Sequence, residues 1–122
     1  CGHEKEKFTI KHRNEFKRDG KWLLARRSLG LQSFGMNIVE IPAGDSIIEH
    51  DETERDQEEV FIVLEGSPTM IIDGKEYQLR TGSFVRLDPE PKRNVVNKGN
   101  GVAAVLIISA PRTSGYTPLD WA

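Results

Sequence analysis

The sequence predicts an all-β fold. Short apolar runs recur between turn residues at roughly ten-residue spacing. No segment sustains a long amphipathic helical period. Asp73-Gly74 sits between two strand-like runs, where a type I′ hairpin turn takes two positive φ angles. Many short strands at this spacing make a β-sandwich or barrel.

The elements follow in chain order. Phe8-Thr9-Ile10-Lys11-His12 alternates and reads as a short strand. Residues 14–18 are polar enough for one helical turn, which Asp19-Gly20 breaks. Residues 22–28 resume an apolar stretch. Residues 34–41 are a clearer strand, with Phe34, Met36, Ile38 and Glu40 on one face and Gly35, Asn37, Val39 and Ile41 on the other. Pro42-Ala43-Gly44-Asp45 ends it with turn chemistry. Residues 50–58 form an acidic loop too polar for a core strand. Residues 60–64 are apolar throughout and stop at Gly66. Alternation puts Glu59, Phe61 and Val63 on one face and Val60, Ile62 and Leu64 on the other, so both faces need cover. Residues 69–72 and 75–79 flank the hairpin turn. Thr81-Gly82 turns into residues 84–87, Pro89 and Pro91 interrupt the ladder, and residues 94–97 resume it. Residues 98–101 turn into the last long strand, an apolar run over 102–108 too short to span a bilayer as a helix. The tail over 111–122 is irregular, and Tyr116 and Trp121 are expected to dock it onto the body.

The chain of 122 residues is 37% hydrophobic and 30% charged, which suits one domain: N-terminal strands over 1–33, a barrel core over 34–110 and the tail. Its net charge is −2, without the basic footprint of a nucleic-acid binder. Lys17-Arg18 and Arg26-Arg27 read as solvated faces. A single cysteine excludes an intrachain disulfide, and a cytoplasmic address without membrane association is the expectation. Cys1 stands where a translated chain carries methionine. It is either the lipid-bearing first residue of a processed lipoprotein or the product of an upstream truncation. With no signal segment visible, truncation is the expectation. No nucleophile site is indicated, and Gly99-Asn100-Gly101 is a hairpin turn, not a phosphate cradle.

Residues 42–66 resemble the first motif of the cupin family: a glycine, five residues, His-x-His, a short spacer, a glutamate, six residues and a glycine. Here Gly44 is followed by five residues and His50, and Glu59 by six residues and Gly66. Residues 82–97 resemble the second motif, in which a glycine and a proline turn precede a histidine four places before an asparagine. Gly82, Pro89 and Asn97 fit, with the proline one place late. The resemblance covers residues 34–110. It implies a double-stranded β-helix, or jelly roll, and a homodimer. In cupin enzymes it implies a divalent metal held by three histidines and a glutamate inside the barrel.

The ligand positions depart from that set. Counted from Gly44, His50 takes the first histidine position and Glu52 replaces the second. Counted back from Glu59, Glu52 and Glu54 take the two positions and His50 falls out of register. Arg93 stands four places before Asn97, and an arginine has no lone pair to give a metal. At most His50, one of Glu52 or Glu54, and Glu59 converge, with Arg93 opposing them.

Three functions are weighed on this basis. The first is a cupin without a metal cofactor, binding a small anionic organic molecule in the barrel. Arg93 and Glu59 would line its polar end, and Phe61 and Met36 its apolar wall. In this reading Glu59 and Arg93 pair and satisfy both charges. The alternative is a metal-dependent enzyme of the dioxygenase or isomerase type. It would use His50, Glu52 or Glu54, and Glu59 to hold manganese, iron, zinc or nickel. The third is a structural or regulatory homodimer with a sealed barrel. Arg86 either joins Arg93 or faces water, and Trp22 and Trp121 read as core or interface anchors.

Overall fold

Alternation along the strands decides which side chains enter the core, and the pairing of distant strands decides where that core lies. A computed structural model describes residues 7–122; Cys1 falls outside them. A 3-10 turn (Arg13–Glu15) leads into a short hairpin of β1 (Arg18–Asp19) and β2 (Trp22–Leu23), then helix α1 (Ala25–Leu29). The remaining strands are β3 (Gly35–Ile41), β4 (Gln57–Glu65), β5 (Thr69–Ile72), β6 (Lys75–Gln78), β7 (Phe84–Leu87), β8 (Arg93–Val96) and β9 (Ala103–Pro111).

They form two antiparallel sheets, one ordered β1-β2-β3-β9-β4-β7 and the other β6-β5-β8. Residues 46–50 run beside β8, bridged to it at Ser46–Val96 and His50–Arg93. The inner faces meet in a core of Val39, Ile41, Ile47, Phe61, Met70, Leu87, Val95 and Val105. This is the all-β jelly roll.

Two motif positions earn their places through the backbone. Gly66 has φ +86°, and a Cβ there would stand 2.9 Å from the Ala103 Cα. Asn97 is buried; its Nδ2 donates to the carbonyls of Ile41 (2.8 Å) and Gly101 (2.7 Å), and its Oδ1 accepts from Gly99 N (3.0 Å). The hairpin turn has positive φ at both Asp73 and Gly74, as predicted.

The structure corrects the N-terminal third. Residues 8–12 form no strand, because no neighbouring strand pairs with them and Phe8 and Ile10 are exposed. The apolar stretch over 22–28 divides into β2 and α1. Gly30, in the left-handed region at φ 73°, ends the helix by donating to the carbonyls of Arg26 and Arg27. β4 begins at Gln57, inside the expected acidic loop. The tail aromatics are not buried against the body: Tyr116 is 74% exposed and Trp121 83%. Among the described residues no helix is long and apolar enough to cross a membrane.

Candidate metal and ligand site

Three extended segments bring the site together. On β4, Glu59 lies two residues before Phe61 and points into the barrel with it. On β8 in the facing sheet, Arg93 lies two residues before the buried Val95 and also points inward. His50 is locked opposite Arg93 by two backbone bonds, His50 N to Arg93 O (3.0 Å) and Arg93 N to His50 O (2.8 Å). Glu52, two residues on, is held by its N–H on the Pro89 carbonyl (2.9 Å) and its carbonyl under Gln57 N (3.1 Å).

One ligand atom from each of His50, Glu52 and Glu59 lies within 4.8 Å of the others. His50 Nδ1 is 2.9 Å from the Ile48 carbonyl oxygen. A carbonyl only accepts, so Nδ1 carries the hydrogen. That leaves Nε2 turned inward, 3.3 Å from Glu52 Oε1. A neutral His50 therefore presents a lone pair to two carboxylates. Groups that only accept do not converge favourably unless a proton or a cation lies between them.

Glu59 feels this most. It is 6% exposed, and its pKa is raised from the ordinary glutamate value. Burial is the main cause and the charge of Glu52 adds to it; Arg93 and His50 pull the other way and do not compensate. Arg93 is fully buried, with Nη1 3.8 Å from Glu59 Oε1. That distance brings the charges together but is too long for a hydrogen bond. Arg93 Nη2 donates to the Asp88 carbonyl. Glu59 Oε1 and Arg93 Nε and Nη1 have no hydrogen-bond partner among the described residues.

The cluster opens into a cavity of about 220 Å³, walled by Trp22, Met36, Asn37, Gln57, Ile107 and Ser109, with Arg55 at its side. Met36 is therefore at the cavity. Phe61 is not; it lies deeper, in the core. Arg93 lies behind Glu59 and does not line the cavity. Glu54 points away, exposed in the turn before β4, so Glu52 is the carboxylate that joins His50 and Glu59. Arg86 faces water, paired with Glu58 (3.2 Å) and Asp88 (2.6 Å). Trp22, read from sequence as a core or interface anchor, packs against the core and also walls the cavity. Gln57 and Ser109 were absent from the sequence candidates. The inward alternation of Phe61 and Glu59 extends to Gln57, and that of Val105 and Ile107 to Ser109, so the signal was present. Arg55 had no such signal.

The family described as Cupin domain matches residues 37–109. No curated protein matches the chain. Among solved structures, a cupin protein from Bacteroides fragilis is 25% identical at a TM-score of 0.77, over 95% of this chain and 96% of its own. A sugar phosphate isomerase from a cupin superfamily, from Silicibacter pomeroyi, is 22% identical at 0.65, over 73% of this chain and 57% of its own. A predicted oxalate decarboxylase from Thermotoga maritima is 15% identical at 0.70, over 84% of this chain and 99% of its own.

Proposed function

The chain belongs to the cupin domain family, and from that premise we propose that it binds a divalent cation on His50, Glu52 and Glu59 and a small oxygen-rich organic molecule beside it. One observation carries this reading. Three lone-pair groups converge within 4.8 Å, and the Ile48 carbonyl fixes the histidine in the tautomer that a ligand needs.

The donor set fits such an ion. One imidazole nitrogen and two carboxylates suit manganese, iron, zinc or nickel, and the two hard oxygens favour manganese among them. Arg93 Nη1, 3.8 Å from Glu59 Oε1, offsets part of the carboxylate's charge without lining the cavity. When bound, the ion acts as a Lewis acid toward a carbonyl or hydroxyl oxygen. The protein's own groups do the rest. Gln57, Asn37 and Ser109 offer hydrogen bonds to the organic molecule, and the Trp22 ring and Ile107 exclude water from one side of it.

The test is metal content by elemental analysis after dialysis against manganese. The expected result is about one ion per chain, with affinity reduced at least tenfold in His50→Ala, since losses of second-shell partners alone reach that size. A wild-type chain that binds no divalent ion, or a His50→Ala chain that binds it equally well, overturns the reading.

A second reading is favoured by a different observation. Arg93 keeps Nε and Nη1 without partners although it is fully buried. In a metal-free barrel an anionic group that displaced Glu59 would satisfy both. Metal analysis separates the two readings.

We also infer that the chain is a homodimer joined through the outer face of the larger sheet. There Phe84, Ile62 and Leu106 form one cross-strand row, and Val60 and Ile108 pair in the next. Phe84 is 70% exposed and the others stay half-buried. Exposed apolar rows of this kind mark interaction surfaces.

A further inference from the structure

A second cavity, of about 490 Å³, adjoins the site. The two share Met36, Asn37, Arg55, Gln57 and Ser109 in their walls, so they are compartments of one trough. Their chemistry is opposite. The inner compartment holds His50, Glu52 and Glu59. The outer one adds Arg26 of α1 and Gln32 to the shared Arg55 and Gln57, and no described carboxylate lines it.

We propose that the outer compartment recognises an oxyanion group, phosphate or carboxylate, at one end of a molecule whose oxygen-rich other end reaches His50, Glu52 and Glu59. This rests on the binding function proposed above and names the class of molecule bound. A guanidinium matches the planar or tetrahedral oxygens of such groups, and two arginines line this one compartment. Neither Arg26 nor Arg55 forms an ion pair with a described residue, a state they share with Arg27 and Arg80; of these four, Arg26 and Arg55 are the two that line the compartment. Arg26 spends one donor, Nη1, on the Leu31 carbonyl at 3.1 Å, which steadies the side chain and leaves its other donors free of that bond.

Charge along the trough sets the direction of binding. The inner end carries two carboxylates, which two positive charges of a bound ion would neutralise. The outer end carries two positive charges in either state. An anionic tail is therefore drawn outward and a neutral polyol or carbonyl end inward. Gly35 leaves room for the Ser109 hydroxyl, because a Cβ there would stand 2.5 Å from Ser109 Oγ.

Isothermal titration of the full chain tests this with ribose 5-phosphate and gluconate against uncharged ribose, each with and without manganese. The expected result is saturable binding of at least one charged probe and much weaker binding of ribose. In Arg26→Gln/Arg55→Gln, affinity for that probe falls about tenfold or more, the loss expected from removing charge-assisted hydrogen bonds. The double variant still binds manganese, with an affinity no weaker than wild type, and still unfolds in one cooperative transition, so the loss is not one of folding or of the cation. The proposal is overturned if the double variant binds the probes as wild type does, or if neither charged probe binds wild type. If manganese fails to bind wild type while the arginine-dependent loss persists, the cation reading falls and the oxyanion site stands.

Discussion

Glu59 keeps its proton to higher pH in the folded chain than in the unfolded one, because burial and the Glu52 charge outweigh Arg93 and His50. The sign of its linkage follows. In the metal-free protein its contribution to stability is complete below the ordinary carboxylate value of 4.5 and is lost as pH rises through the raised value. Glu59→Gln cannot ionise, so its stability relative to wild type should rise as pH increases from about 4.5 and level off above the raised value, as read by urea denaturation at several pH values. A constant difference across that range would contradict the assignment. Arg93→Met removes the one cation behind Glu59. It should cost about 3–5 kcal/mol at neutral pH, the usual loss when one partner of a buried pair is removed, and less in acid. Asn97→Ala loses one buried and two part-buried hydrogen bonds and should cost about 2–4 kcal/mol without affecting manganese binding.

Elements are stabilised where the backbone meets a requirement that only one residue type satisfies cheaply. The β5–β6 hairpin closes through positive φ at Asp73 and Gly74, and the Asp73 carboxylate accepts from Lys92 N at 2.9 Å. That bond ties the hairpin to the segment entering β8, which carries Arg93. The turn after β4 is stricter. Gly66→Ala combines a left-handed φ of +86° with a contact of 2.9 Å to the Ala103 Cα. It should destabilise the chain by about 1–3 kcal/mol for the backbone conformation alone, with the clash added. Equilibrium denaturation measures this, and a neutral effect would mean that the β4–β5 turn rearranges at little cost.

For the whole molecule the outer face of the six-stranded sheet sets the assembly. Helix α1 packs on β3 and shields the Leu23–Ile38 end, while the rows through Ile62 and Ile108 continue to Phe84 uncovered. Light scattering after gel filtration should give twice the chain mass for wild type and the single chain mass for Phe84→Glu. The far-UV circular dichroism should be unchanged, because Phe84 contributes little to the monomer core. A wild-type monomer at micromolar concentration would remove the dimer from the account. The exposed Tyr116 and Trp121 belong with this face, since no described residue buries them.

What the sequence determined by itself was local. Strand alternation, turn residues and the Asp73-Gly74 hairpin depend on neighbours a few residues apart, and they were legible. So was the motif frame at Gly44, Glu59, Gly66, Gly82 and Asn97. Arg93 as the residue facing Glu59 was legible by counting from Asn97. The N-terminal misreadings share a cause: residues 8–12 alternate like a strand, but a strand exists only where a partner edge accepts its hydrogen bonds. Spacing alone left two registers for the carboxylates. Only the tertiary structure chose Glu52 over Glu54, through the backbone bridge between His50 and Arg93, 43 residues apart in sequence. It also decided that Arg93 stands behind Glu59, that Phe61 belongs to the core, and that Arg55 and Trp22 reach the cavity. These outcomes depend on which distant strands pair, and that is settled by the folding of the whole sheet, not by any window of the chain.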